Sequence, residues 1–227
     1  MSRSLFTSRH GGFSSNEFQS LNLASHVGDE AIVVEANREL LARELGIKRS
    51  DLFFMRQVHG SKVAEIDESS SHLQEPEADA LFTKRSGIAL AVLTADCIPL
   101  LLSSPSAIAA VHIGRKGLVA GVVEATLERF ESYGIVPSEI SASLGASICG
   151  NCYQVSLEIY RRVVNQIGKC ATDEEKRCLD LEAGVISILK ERGIVWSSTG
   201  QCSKHSPGYF SYRRDAKTGR QAGVIIR

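Results

Sequence analysis

Residues 87–117 constrain this chain more than any other stretch. Gly-Ile-Ala-Leu-Ala-Val-Leu-Thr-Ala-Asp-Cys-Ile-Pro-Leu-Leu-Leu is followed by a Ser/Pro turn at residues 103–106 and then by a second apolar run ending in Val-His-Ile-Gly-Arg-Lys-Gly. Two runs of strand character separated by a turn predict adjacent buried strands. Each carries one reactive side chain, Cys97 in the first and His112 in the second. An unpartnered polar group in such surroundings costs about 1–3 kcal/mol. The thiol and the imidazole are therefore either a satisfied core pair or a site.

The rest of the chain can enclose such a pair. With 227 residues, 43% hydrophobic and 23% charged, it has the composition of a globular protein with a substantial core. No repeat or low-complexity linker divides it, so one domain over residues 1–227 is expected. Lys plus Arg equals Asp plus Glu at 26 each, which leaves no net field for nucleic acid or an anionic membrane. No apolar run approaches the roughly 20 residues of a membrane span, and residues 1–9 lack the apolar core of a signal peptide. A cytoplasmic location is expected. Six cysteines are too few for a disulfide scaffold, and a reducing compartment favours metal binding or catalysis for any that matter.

In chain order, residues 9–14 and 21–29 are polar, glycine-bearing segments that read as surface turns. Residues 29–45 carry a helical apolar stripe closed by Gly46. Residues 52–60 are β-rich and place His59 at the mouth of a strand, where a histidine is either a hydrogen-bonded structural residue or a ligand. Residues 67–76 read as an exposed loop, and Asp79 after it as a turn residue or an acceptor behind a ligand. Residues 114–117 link strand to helix. Free N–H groups there suit an anion, although a tight connection needs glycine anyway. A helix over 118–133, a strand over 140–148, helices over 157–167 and 179–192, a strand from Ile194 and a last strand over 222–226 complete the reading. The pair Cys149 and Cys152 reads as structural or incidental, because Cys170, Cys178 and Cys202 supply no second Cys-x-x-Cys for a four-cysteine cage. Arg213, Arg214, Lys217 and Arg220 beside aromatics form either a solvated face or a cover for a charged substrate. The expected class is α+β: a single-domain, layered mixed β-sheet with helices packed outside, without strict β-α-β alternation.

His59, Cys97 and His112 offer two imidazoles and a thiolate. Such a set gives zinc three protein ligands and leaves a fourth position for water, the arrangement of a catalytic site. Spacing alone does not bring His59 to the other two.

Several motifs run in order along the chain: Arg9-His10-Gly11-Gly12-Phe13-Ser14, Ser20-Leu21-Asn22-Leu23 with His26-Val27-Gly28-Asp29, Gln57-Val58-His59-Gly60, Ala78-Asp79-Ala80-Leu81, Thr94-Ala95-Asp96-Cys97-Ile98-Pro99-Leu100, Ala110-Val111-His112-Ile113-Gly114, and Tyr212-Arg213-Arg214-Asp215 with Thr218-Gly219-Arg220. Together they resemble the YfiH family, whose members have been described as laccase-domain polyphenol oxidoreductases and as purine nucleoside phosphorylases with adenosine deaminase activity. The resemblance implies a Zn2+ site, with Cu2+ as the other metal, on His59, Cys97 and His112. It implies phosphorolysis of adenosine, inosine, guanosine and S-methyl-5'-thioadenosine to base and ribose 1-phosphate, and deamination of adenosine. The partners would be purine nucleosides and phosphate, handled by a monomer or homodimer. Arg9, Asn22, Arg56, Arg115, Lys116, Arg213 and Arg214 are the candidate substrate contacts, and Asp96, or Asp79, the candidate proton carrier.

The chain departs from the family pattern twice. Gly114-Arg115-Lys116-Gly117 replaces Gly-Trp-Arg-Gly, which removes an aromatic wall. Residues 145–153 lose two prolines and a cysteine neighbour of the pattern Gly-Pro-x-Ile-Gly-Pro-Cys-Cys-Tyr. Three rival readings use the same residues: a copper-dependent polyphenol oxidase, a metal-free hydrolase with Cys97 as nucleophile and His112 as base, and a purine-binding module without turnover.

Overall fold

The structure, a computed structural model, describes residues 2–227. Among them are ten strands: β1 (Arg3–Phe6), β2 (Leu52–Phe53), β3 (Val63–Glu65), β4 (Ala80–Thr83), β5 (Ala89–Thr94), β6 (Ile98–Ser103), β7 (Ile108–Ile113), β8 (Ser141–Leu144), β9 (Val195–Ser198) and β10 (Gln221–Ile226). Six α-helices accompany them: α1 (Ala31–Leu45), α2 (Arg115–Val119), α3 (Val122–Glu131), α4 (Leu157–Gln166), α5 (Leu181–Glu191) and α6 (Tyr212–Asp215). The strands form two mixed sheets, one in the order β1-β10-β5-β2 and the other β3-β4-β7-β6-β8-β9.

Period-two alternation of side chains divides each central strand between two cores. In β5, Leu90 and Val92 face the other sheet, while Ala89, Ala91 and Leu93 pack with Leu41 and Leu45 of α1. In β6, Leu101 joins the layer between the sheets, and Leu100 and Leu102 pack with Val123, Leu127 and Phe130 of α3. The result is four layers: α1, the four-stranded sheet, the six-stranded sheet, and α2 to α5. Because the central strands are buried on both faces, they read as unbroken apolar runs. The expected α+β class with helices outside is what the structure has, with the sheet resolved into two.

The sheets approach closely where glycine permits it. A Cβ on Gly145, just after β8, would lie 2.6 Å from Phe6 Cε1 of β1, and one on Gly223 of β10 would lie 2.9 Å from Pro99 Cβ of β6.

Three local expectations are corrected. The run over 87–102 is two strands, one in each sheet, broken at residues 95–97, where Asp96 takes φ +96. The helix over 118–133 is interrupted by Gly121 at φ +80, which separates α2 from α3. The strand over 52–60 ends at Phe53, after which the chain makes only an isolated bridge from Arg56 to Glu77. Both β1 and α6 lack a strong sequence signal. No helix among the described residues is long and apolar enough to cross a membrane.

Candidate active site

Cys97 lies at the crease where the chain passes from one sheet to the other, one residue before β6. His112 is on β7, paired across the ladder with Pro99 of β6, and is 3% exposed. His59 comes from the loop after β2 and has φ +61. The three ligand-type atoms lie within 4.8 Å of one another.

Asp79, fully buried just before β4, arranges two of the three. Its Oδ1 accepts from His112 Nδ1 at 2.8 Å, which leaves Nε2 as the free ring nitrogen. Its carboxylate also accepts the backbone N–H groups of Val58 at 3.3 Å, His59 at 2.9 Å and Gly60 at 2.6 Å, closing the loop that carries His59. Burial alone would raise this carboxyl, but His112 and the N–H donors outweigh it and hold Asp79 below the ordinary carboxylate range. Gly114 completes the enclosure: a Cβ there would sit 3.2 Å from Cys97 Sγ and closer still to His59 Nδ1. This glycine makes room for the cluster. The anion-binding turn expected at residues 114–117 opens a helix of only five residues.

Burial pushes the Cys97 thiol up, yet His112 and His59 beside it bring it down to about 6. Burial likewise disfavours the His112 imidazolium, but Cys97 and Asp79 raise it to about 9. At neutral pH the metal-free pair is a thiolate and an imidazolium. A soft thiolate, a nitrogen fixed by an outer carboxylate and a second imidazole are a donor set that fits zinc.

A cavity of about 370 Å3 opens over the cluster, lined by all three residues together with His26, Gln57, Thr94, Asp96, Arg115, Ile148, Tyr153, Tyr212, Arg213 and Arg220. Of the candidate cations, Arg115 and Arg213 reach it. Arg213 lies 4.7 Å over the Tyr153 ring and donates to Gln154 O.

The others are elsewhere. Arg9 donates to Gln19 O and stacks on Phe210. Asn22 is buried and bonded to Ala24, Asp29 and Arg220 N. Arg56 is paired with Glu77 on the surface. Lys116 is exposed outside the cavity lining. Arg214 donates to the carbonyls of Ser203, Lys204, Ser206 and Tyr209. Asp96 lines the cavity, but its oxygens accept Ser203 Oγ, Ser211 Oγ and Arg213 N, each at 2.7 Å. Through these bonds it ties the segment bearing Arg213 to the residue beside Cys97.

Sequence reasoning missed His26, Gln57, Tyr153 and Tyr212 as lining residues, although all but Tyr153 stand inside the motifs quoted above; Arg220, read as part of either a solvated face or a cover for a charged substrate, lines the cavity. Burial, followed by Arg220, holds His26 below the usual imidazole range, and Arg220 itself is lowered by burial. Tyr153 and Tyr212 give the cavity its aromatic surface, with Arg115 beside them in the lining.

Fold and cavity together define a two-sheet α+β protein with a His-Cys-His cluster under an arginine-lined pocket. The chain belongs to the laccase-domain family of YfiH: the family described as multi-copper polyphenol oxidoreductase laccase matches residues 3–227. A Streptomyces coelicolor protein named purine nucleoside phosphorylase is 42% identical, covering 97% of this chain and 93% of the relative. The crystal structure of a Neisseria meningitidis protein superposes with a TM-score of 0.89 at 32% identity, covering 99% of this chain and 93% of that one. That of Bacillus licheniformis YfiH does so at 0.89 and 27%, covering 100% and 93%.

Proposed function

We propose that this protein is a zinc-dependent purine nucleoside phosphorylase that also deaminates adenosine. The observation that carries the reading is the cavity itself: three arginines and two tyrosines stand over a His-Cys-His cluster, in a chain whose relatives bear the phosphorylase name. Held by His59, Cys97 and His112, a zinc ion supplies a Lewis-acidic open position and a water acidified toward neutral pH.

The chain's own groups do the rest. Arg115, Arg213 and Arg220 are charge-assisted donors for the phosphate that attacks the ribose C1' carbon as the bond to the purine nitrogen breaks. Tyr153 and Tyr212 offer ring faces to the base. With Asp79 and Asp96 fully engaged in internal hydrogen bonds, His26, kept neutral by burial and Arg220, is the group we assign to accept a proton from the attacking dihydrogen phosphate and pass it to the departing base. A multicopper oxidase reading has less to draw on, because only two of the six histidines stand in the cluster.

The test is to count zinc in the purified protein and to follow adenine, ribose 1-phosphate and inosine from adenosine, with and without phosphate. Adenine that appears only with phosphate supports phosphorolysis, and inosine formed without phosphate supports deamination. Protein fully loaded with zinc that yields none of the three products would overturn the reading. His59→Ala, Cys97→Ala and His112→Ala each should lose the zinc of this site and lower kcat/KM by at least about 100-fold.

A further inference from the structure

Outside the cavity, the loops following β8 and β9 bring a second set of metal-type donors together. Cys149 and Cys152 come from the first loop, Cys202 and His205 from the second, and their ligand atoms lie within 4.8 Å of one another. Cys152 Sγ is 3.0 Å from His205 Nε2, and the Cys149 N–H donates to Cys202 Sγ at 3.4 Å. All three cysteines are free thiols.

The backbone builds this convergence. A parallel bridge joins Ser147 to Cys202, with Ser147 N–H donating to Gln201 O at 3.1 Å and Ser203 N–H to Ser147 O at 2.9 Å. That bridge places the two short motifs, Cys-x-x-Cys and Cys-x-x-His, side by side across 49 intervening residues. Cys149 and Cys152, structural or incidental by sequence for want of a second Cys-x-x-Cys, face a cysteine and a histidine instead.

We infer that Cys149, Cys152, Cys202 and His205 form a second, structural Zn2+ site. Three thiolates and one imidazole are a closed tetrahedral set with no position left for substrate. Zn–S bonds of about 2.3 Å set tetrahedral sulfurs about 3.8 Å apart, so a cluster already within 4.8 Å closes by side-chain rotation. The cysteines are partly buried and His205 is exposed, which gives the ion a path from solvent. Its uptake releases three thiol protons to solvent, with no change of oxidation state.

This ion clasps a wall of the cavity. Ser203, between two of the ligands, donates to Asp96, and Tyr153, next to Cys152, lines the pocket under Arg213. The inference stands on these four residues and does not depend on the nucleoside reading.

The experiment uses the full-length Cys97→Ser chain, in which the cavity cluster has lost its thiolate. It is purified with a thiol reductant, loaded with Zn2+ and desalted. One zinc per chain is expected, and Cys97→Ser/Cys202→Ser should hold none. Cobalt in place of zinc should give thiolate-to-cobalt charge transfer and the visible bands of a tetrahedral ion. Absence of zinc from Cys97→Ser, its retention after Cys202→Ser, or an intact mass short by two hydrogens under reductant, the sign of a Cys149–Cys152 disulfide, would each overturn the site. Should Cys202→Ser not fold, the wild-type chain decides. When zinc-loaded it should protect Cys149, Cys152 and Cys202 from iodoacetamide until a chelator is added, and equal labelling in both states would refute the inference.

Discussion

Asp79 touches both histidine-bearing segments, so its effect should exceed that of an ordinary buried carboxylate. Asp79→Asn keeps the shape but places an amide among N–H donors, and zinc affinity at the cavity cluster should fall about 10- to 100-fold in a competition titration, the range for outer partners of metal ligands. An unchanged affinity would remove that role. Gly114→Ala tests the same cluster from the other side. Its Cβ displaces His59, a side chain free to swing into solvent, so zinc at this site should be lost while the unfolding free energy from urea titration changes by no more than about 1 kcal/mol. At this scale the sequence was informative about Cys97 and His112, since reactive side chains inside apolar runs stand out. It named Asn22 and Asp96 but not their partners, which close across long separations: Asn22 with Arg220, and Asp96 with Ser203 and Ser211.

Elements with a one-sided apolar pattern and a clear stop were legible. The helix α1, ended by Gly46 at φ +76, matches the expected 29–45 to within two residues, and β7, β9 and β10 lie where the apolar runs put them. The break between β5 and β6 was not legible, because both strands are buried on both faces and neither shows a polar alternation. Only Asp96 marked the crease. The glycines that let the sheets meet were equally mute, since their use depends on which side chains face them. Gly145→Ala, which drives a methyl group into Phe6 and Pro99, should therefore destabilise the fold by about 1–3 kcal/mol in urea unfolding, as overpacking does.

For the whole molecule, protons held by the Cys97–His112 pair have a calculable effect. Cys97 is lowered from 9.0 to about 6 and His112 raised from 6.5 to about 9, so between about 6.5 and 9 the pair binds one proton both folded and unfolded, and stability without metal should be flat there. Zinc must displace that proton, so its affinity for this cluster should rise about tenfold per pH unit over the same window. Asp79 acts at lower pH: with its folded value below the ordinary 3.8, it stabilises above that value and the benefit is lost as pH falls through the folded one. Urea midpoints should therefore drop below about pH 4, and less so in Asp79→Asn. One link described above also bears on how such a protein can diversify. Because Asp96 grips the main chain of Arg213 while its neighbour supplies the sulfur, the cation and the thiolate are set at a fixed span, like two ends of one bracket. On the proposed nucleoside reading, accommodation of a bulkier sugar or base must then come from trimming the side chains at the rim, exposed Tyr212 and half-buried Arg115 foremost, and variants selected for altered substrate range should map there.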